Sequence, residues 1–174
     1  MTRHLVVVDM QNIFGTPNSA WHAPRFDEIL EPIDRLVAAH PQRVLFTRFL
    51  APSEPQGAWR DYYAQFPFAV QPPEAWQYAL VDRYRGRPTL DTTTFGKWGP
   101  ALAERINGCD EIVVAGVSTD CCVLSTVLAA ADAGVKVHVA EDACAGATDE
   151  SHEQALAIMR LYAPLVEIVN SSDC

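Results

Sequence analysis

Five strand-length apolar runs constrain this chain most: "LVVVDM" (5–10), "RVLFT" (43–47), "EIVVAGV" (111–117), "KVHVAE" (136–141) and "LVEIVN" (165–170). A run that is apolar at successive rather than alternate positions suits a strand covered on both faces, the pattern of parallel sheets. Helical spacing lies between the runs. "PRFDEILEPIDRLVAAH" carries Phe26, Ile29, Ile33, Leu36 and Val37 at that spacing, and Pro32 predicts a kink or a late start. "CCVLSTVLAAADAG" is closed by Gly134, and "TDESHEQALAIMRLYA" opens on a Thr148 cap with Ser151 and Glu153 near it. Strands alternating with helices imply right-handed βαβ units. The expected fold is α/β, a doubly wound three-layer α/β/α sandwich with a mainly parallel sheet. One domain over residues 1–174 accommodates it, since 49% hydrophobic residues in a chain of this length suffice for a sizeable core.

Residues 48–95 break the alternation. They hold six prolines (Pro52, Pro55, Pro67, Pro72, Pro73, Pro88) among Trp59, Tyr62, Tyr63, Phe66, Phe68, Trp76, Tyr78 and Tyr84. So many aromatics are foreign to a disordered linker. The segment reads either as a loop packed on its own side chains or as a lid or pocket wall. Phe14, Trp21, Trp59 and Tyr63 are the candidate pocket walls.

Charge and cysteine usage narrow the function class. A formal net charge of −9 argues against nucleic acid and anionic membrane surfaces as partners. No apolar run reaches membrane-spanning length. "MTRHLVVVDM" shows one Arg and then a strand-length run, with no small-residue cleavage site, so a cytoplasmic location is expected. The five cysteines are odd in number, two of them (Cys121, Cys122) adjacent, and none form a CxxC pair, as expected of reduced thiols.

In a doubly wound sheet, ligands bind at the carboxyl ends of the strands. Asp9 ends the first run, Cys121 and Cys122 follow "EIVVAGV", and Lys97 stands in "TTTFGKWGPAL" ahead of a helix from about Pro100. An acid, a cation and a thiol meeting at one sheet edge make a coherent set. A helix N-terminus and an ammonium lower a thiol pKa, a carboxylate takes and returns its proton, and turn amides hold an oxyanion. Neighbouring helical residues point about 100° apart, which predicts separate surroundings for the two thiols, Cys122 alone beside Asp9 and Lys97.

"VVVDMQNIF", "TTTFGKWGPAL" and "VVAGVSTDCCVLSTVLAAADAGVKVHVAEDACA" resemble the three signature stretches of the isochorismatase-like cysteine hydrolases, which include nicotinamidases and N-carbamoylsarcosine amidases. The G-x-x-T-D-x-C-V pattern aligns Gly116, Thr119, Asp120, Cys122 and Val123. The resemblance covers essentially the whole chain and implies the isochorismatase-like, Rossmann-like sandwich. It makes Cys122 the nucleophile, Asp9 the general base and acid, and Lys97 the third member of a triad. It also implies a cis peptide between Val117 and Ser118, with the backbone N–H groups of Ser118 and Cys122 as oxyanion hole.

Nicotinamidases bind a metal through an Asp-x-His pair after the second strand and further histidines. Here that stretch reads "FTRFLAPSEP", and His4, His22, His40, His138 and His152 are scattered. No metal and no cofactor are expected. Isochorismatases proper cleave a vinyl ether and lack the cysteine. The expected activity is therefore hydrolysis of a small amide or ureide by a homo-oligomer. A vinyl-ether hydrolase, a thiol redox protein using the Cys121–Cys122 pair and a catalytically silent binding module are the alternatives.

Overall fold

The computed structural model describes residues 3–174. Its six strands are β1 (His4–Val8), β2 (Val44–Phe49), β3 (Thr89–Thr92), β4 (Glu111–Val117), β5 (Lys136–Ala145) and β6 (Val166–Val169). They form one sheet in the order β3-β2-β1-β4-β5-β6, with every pairing parallel. The chain enters at the centre, builds outward through β2 to β3, then crosses back to lay β4 on the other side of β1. The order therefore reverses between β1 and β4, and the crevice above their carboxyl ends is where such a sheet binds ligands.

The helices are α1 (Asn12–Gly15), α2 (Leu30–Ala39), α3 (Trp59–Gln65), α4 (Pro100–Arg105), α5 (Leu124–Asp132) and α6 (Asp149–Arg160). Successive strand residues point to opposite faces, so β1 supplies two cores. Leu5 and Val7 pack with Ile33 and Leu36 of α2, whereas Val6 and Val8 pack with Leu102, Val127 and Leu156 of α4, α5 and α6. Double coverage explains why the central strands read as unbroken apolar runs. Pro32 delays its helix: residues Phe26–Ile29 form a 3-10 turn, and α2 starts at Leu30, leaving Pro32 in the first turn. The Thr148 hydroxyl accepts from the Ser151 amide at 3.0 Å while the Ser151 hydroxyl accepts from the Thr148 amide at 3.1 Å, a closed capping box. Among the described residues, no helix is long and apolar enough to cross a membrane.

β3 is the element that the apolar runs do not announce. "TLDT" is a short, half-exposed edge strand inside the proline-punctuated segment, and an edge position asks for little apolar character. The segment is tied to the sheet by Gln11. Its side-chain amide donates to the carbonyls of Phe49 (3.0 Å) and Tyr78 (2.9 Å) and accepts from the Phe49 amide (2.8 Å).

The switch point depends on Gly116. It lies opposite Val8 in the β1–β4 register and has φ +115°. A Cβ there would stand 2.1 Å from the Val8 carbonyl oxygen. Overlap with backbone cannot be relieved by a rotamer change, and the φ value is itself costly for an L side chain. Gly116→Ala is expected to destabilise the protein by about 3 kcal/mol or more. A denaturant midpoint equal to that of the parent chain would contradict this account of the crevice.

Candidate active site

Asp9 leaves the end of β1 at φ +51°, a left-handed turn that Asp tolerates better than most residues. The turn buries its carboxylate completely. The Thr47 hydroxyl, from β2 next door, accepts from the Asp9 amide (3.2 Å) and donates to Asp9 Oδ1 (2.7 Å). Lys97 Nζ meets Asp9 Oδ2 at 2.8 Å, both side chains being wholly shielded from solvent. The ammonium also donates to Thr92 Oγ1 (3.0 Å) and the Thr94 carbonyl (3.1 Å), and it stands 5.2 Å from the Phe49 ring centroid. A carboxylate, a hydroxyl and a carbonyl thus surround the ammonium.

The turn from β4 into α5 supplies the thiols. The Val117–Ser118 peptide is cis. Residues Thr119–Val123 wind as a short π-helical turn before α5. Three contacts hold that turn. The Thr119 hydroxyl and His152 Nδ1 share a buried 2.8 Å hydrogen bond, and burial lowers the His152 pKa. The Asp120 carboxylate accepts from the Ala147 amide at 2.8 Å. The buried Thr126 hydroxyl accepts from the Lys97 amide (2.9 Å) and donates to the Cys122 carbonyl (2.6 Å). One side chain therefore joins the lysine loop to the cysteine turn.

Above these groups lies a cavity of about 240 Å³, lined chiefly by Phe14, Trp21, Phe49, Tyr62 and Phe95, with Ser118, Cys121 and Cys122 at the cysteine turn and His22 and Asp120 as further polar walls. At about 30 Å³ per water, it holds roughly eight water volumes, which suits a small molecule. Trp21 is the hub of its wall, stacked on Phe14 (6.1 Å between centroids) and edge-on to Phe68 (5.2 Å) and Phe66 (5.6 Å).

Phe14 and Trp21 line this cavity. Trp59 and Tyr63 do not: both sit one layer behind its wall, stacked on each other at 5.9 Å, with Trp59 edge-on to Phe95 at 5.0 Å. Adjacent residues of α3 diverge by about 100°, so Tyr62 takes the cavity and Tyr63 the core. Tyr62, Phe49 and Phe95 are wall residues that periodicity alone does not single out. The long aromatic segment is thus both self-packed and a pocket wall.

The two thiols do not occupy separate surroundings. Cys121 and Cys122 both line the cavity, and each thiol perturbs the other. The neighbouring Cys121 thiol, burial and the Asp9 carboxylate push the Cys122 thiol well above its usual range, with Lys97 opposing them. The Cys122 side chain, aided by Lys97, pulls the half-exposed Cys121 down. Burial and the neighbouring thiols push the Tyr62 phenol up to about 12, so it stays neutral.

A metal of the kind nicotinamidases hold does not fit these residues. Among those described, no three His, Cys, Asp or Glu side chains are grouped to hold an ion. His22 is the one histidine on the cavity; His138 lies between Glu111 and Glu167, and His40 lines a separate depression with Arg43.

The family model described as "Isochorismatase domain" matches residues 3–172. The uncharacterized isochorismatase family protein YecD of Escherichia coli O157:H7 is 29% identical over 178 residues, covering 89% of this chain and 86% of its own. Isochorismatase domain-containing protein 2 of Rattus norvegicus is 32% identical over 78 residues, a match spanning 44% of this chain and only 37% of the rat protein. Among solved structures, a cysteine hydrolase from Pseudomonas syringae pv. phaseolicola 1448A superposes with a TM-score of 0.84 at 20% identity, covering 99% of this chain and 90% of that one.

Proposed function

Because the chain belongs to the isochorismatase family, we propose that it is a metal-independent cysteine hydrolase cleaving the C–N bond of a small amide or ureide through a thioester. The buried Asp9–Lys97 ion pair at the same crevice as Cys122 carries this reading. A solvent-free charged pair is expensive to maintain unless its charges are used or closely matched.

Each group has a task. Cys122 rests as a thiol, since its pKa is raised, so attack on a carbonyl needs a base in place. Asp9 takes the Sγ proton as the C–S bond forms, and the carbonyl oxygen becomes an oxyanion on the Ser118 and Cys122 amides. Asp9 returns the proton to the leaving nitrogen as the C–N bond breaks. It then accepts a proton from water as hydroxide adds to the thioester, and Cys122 leaves as the thiol. Lys97 and Thr47 hold the carboxylate in position throughout. The aromatic wall thins the solvent around the site, which strengthens these charge interactions while leaving room for the one attacking water. A thiol nucleophile favours the acyl carbon over the vinyl ether of isochorismatases proper, where a thioester has no part.

A panel of small amides and ureides assayed for ammonia or amine release tests the reading, with prolonged chelation as its second arm. Release is expected from at least one planar amide or ureide small enough for the cavity, with turnover unchanged by chelator. Release that vanishes with chelator and returns with zinc, iron or manganese would show that a metal is needed after all. Formation of pyruvate from a vinyl ether, with every amide inert, would reverse the assignment of bond class.

A further inference from the structure

Cys121 is not needed by the chemistry proposed above, yet it stands half-exposed in the wall of the same cavity that its chain neighbour Cys122 lines. Cys122 is almost wholly buried beneath it, at 3% exposure. An oxidant small enough to enter therefore meets Cys121 first. The remaining cysteines are placed differently. Cys144 is buried in the sheet, where burial pushes its thiol up to about 12, Cys109 donates to the Glu111 carbonyl, and Cys174 lines the separate depression beside His40 and Arg43. None of the three lines the cavity.

We propose that Cys121 and Cys122 form a peroxide-sensitive dithiol, closing to a vicinal disulfide that reversibly silences Cys122. In the first step the Cys121 thiolate attacks a peroxide oxygen. The S–O bond forms, the O–O bond breaks, and hydroxide leaves and is protonated to water. In the second step the Cys122 sulfur attacks the Cys121 sulfenic sulfur. The S–S bond forms, the S–O bond breaks, and the departing hydroxide takes the Cys122 proton as water. Two electrons pass from the two thiols to one peroxide.

The geometry also sets the reverse reaction. Adjacent Cα atoms are about 3.8 Å apart across a trans peptide, below the usual 4.4–6.8 Å span of a disulfide. The ring is strained, and strained disulfides are the readily reduced ones. Closure thus protects Cys122 from irreversible sulfinic acid while leaving it recoverable by ordinary thiols. The loss of activity rests on Cys122 being the nucleophile; the dithiol chemistry does not.

The full chain, reduced and then titrated with hydrogen peroxide, tests this by peptide mapping. The tryptic peptide 106–136 is expected to lose two hydrogens, with Cys109 still alkylatable and Cys121 and Cys122 both blocked. Dithiothreitol should restore both thiols. In Cys121→Ser the same dose should carry Cys122 to sulfinic acid, which dithiothreitol does not reverse. Cys122→Ser should leave a sulfenic acid on Cys121 that dimedone traps. Sulfinic acid on Cys122 of the parent chain with Cys121 still alkylatable would overturn the proposal, as would a loss of Cys122 that dithiothreitol fails to reverse equally in the parent and in Cys121→Ser. These readouts are masses, so they stand even where no amide proves to be a substrate.

Discussion

Cys122→Ala is expected to abolish turnover of any amide substrate, and Asp9→Asn to lower it about 10²–10⁴-fold, the usual worth of a positioned base. Cys122 is raised above the ordinary thiol range, so without an adjacent base little thiolate forms at neutral pH. Asn keeps the planar shape and can still accept from Thr47, but it cannot take a proton. Groups that act as a unit are non-additive. The double variant Asp9→Asn with Cys122→Ala should therefore be scarcely worse than Cys122→Ala alone. Steady-state kinetics, with circular dichroism to confirm folding, decides the matter. A folded Asp9→Asn protein with most of its activity would remove Asp9 from the chemistry.

The second large effect is on stability. Lys97→Met is expected to cost about 3–5 kcal/mol, because it strands the Asp9 carboxylate with no solvent and no counter-charge. Asp9→Asn alone strands the ammonium, although Thr92 and Thr94 still accept from it. Combining Lys97→Met with Asp9→Asn should recover much of that loss, since the two neutral side chains leave no unpaired charge behind. Urea unfolding of the four proteins gives the coupling energy directly. Strict additivity would mean that the pair does not interact as its 2.8 Å separation implies.

Much of this was legible beforehand. Burial on both faces makes a parallel strand apolar at every position, so β1, β2, β4, β5 and β6 announce themselves. β3 does not, because an edge strand is half wet. Asp9 and the two cysteines were readable as strand-end groups, since chemistry in a doubly wound sheet gathers at carboxyl ends. Thr47 and Thr126 were not. A threonine at the end of an apolar run and another within a helix are ordinary residues until β2 is laid against β1 and α5 against the lysine loop. Their partners are 38 and 29 residues away in the chain.

The same division runs through the pocket. Composition alone marks residues 48–95 as an aromatic wall or packed loop, because aromatics carry too much apolar surface to be left in a solvated linker. Which of Tyr62 and Tyr63 lines the cavity depends on the rotation of α3 against Trp59 and Phe95, a packing decision with no trace in local spacing. Likewise the adjacency of Cys121 and Cys122 is written in the sequence. Whether they share one environment is not, because a regular helical turn would separate them by about 100°. The π-helical turn at Thr119–Val123, held by His152, Ala147 and Thr126, brings both thiols to one cavity. Chain order and residue type thus determine which groups reach the switch point, through the hydrophobic pattern that orders the strands. Long-range hydrogen bonds and side-chain packing, made only in the assembled fold, decide how those groups face one another.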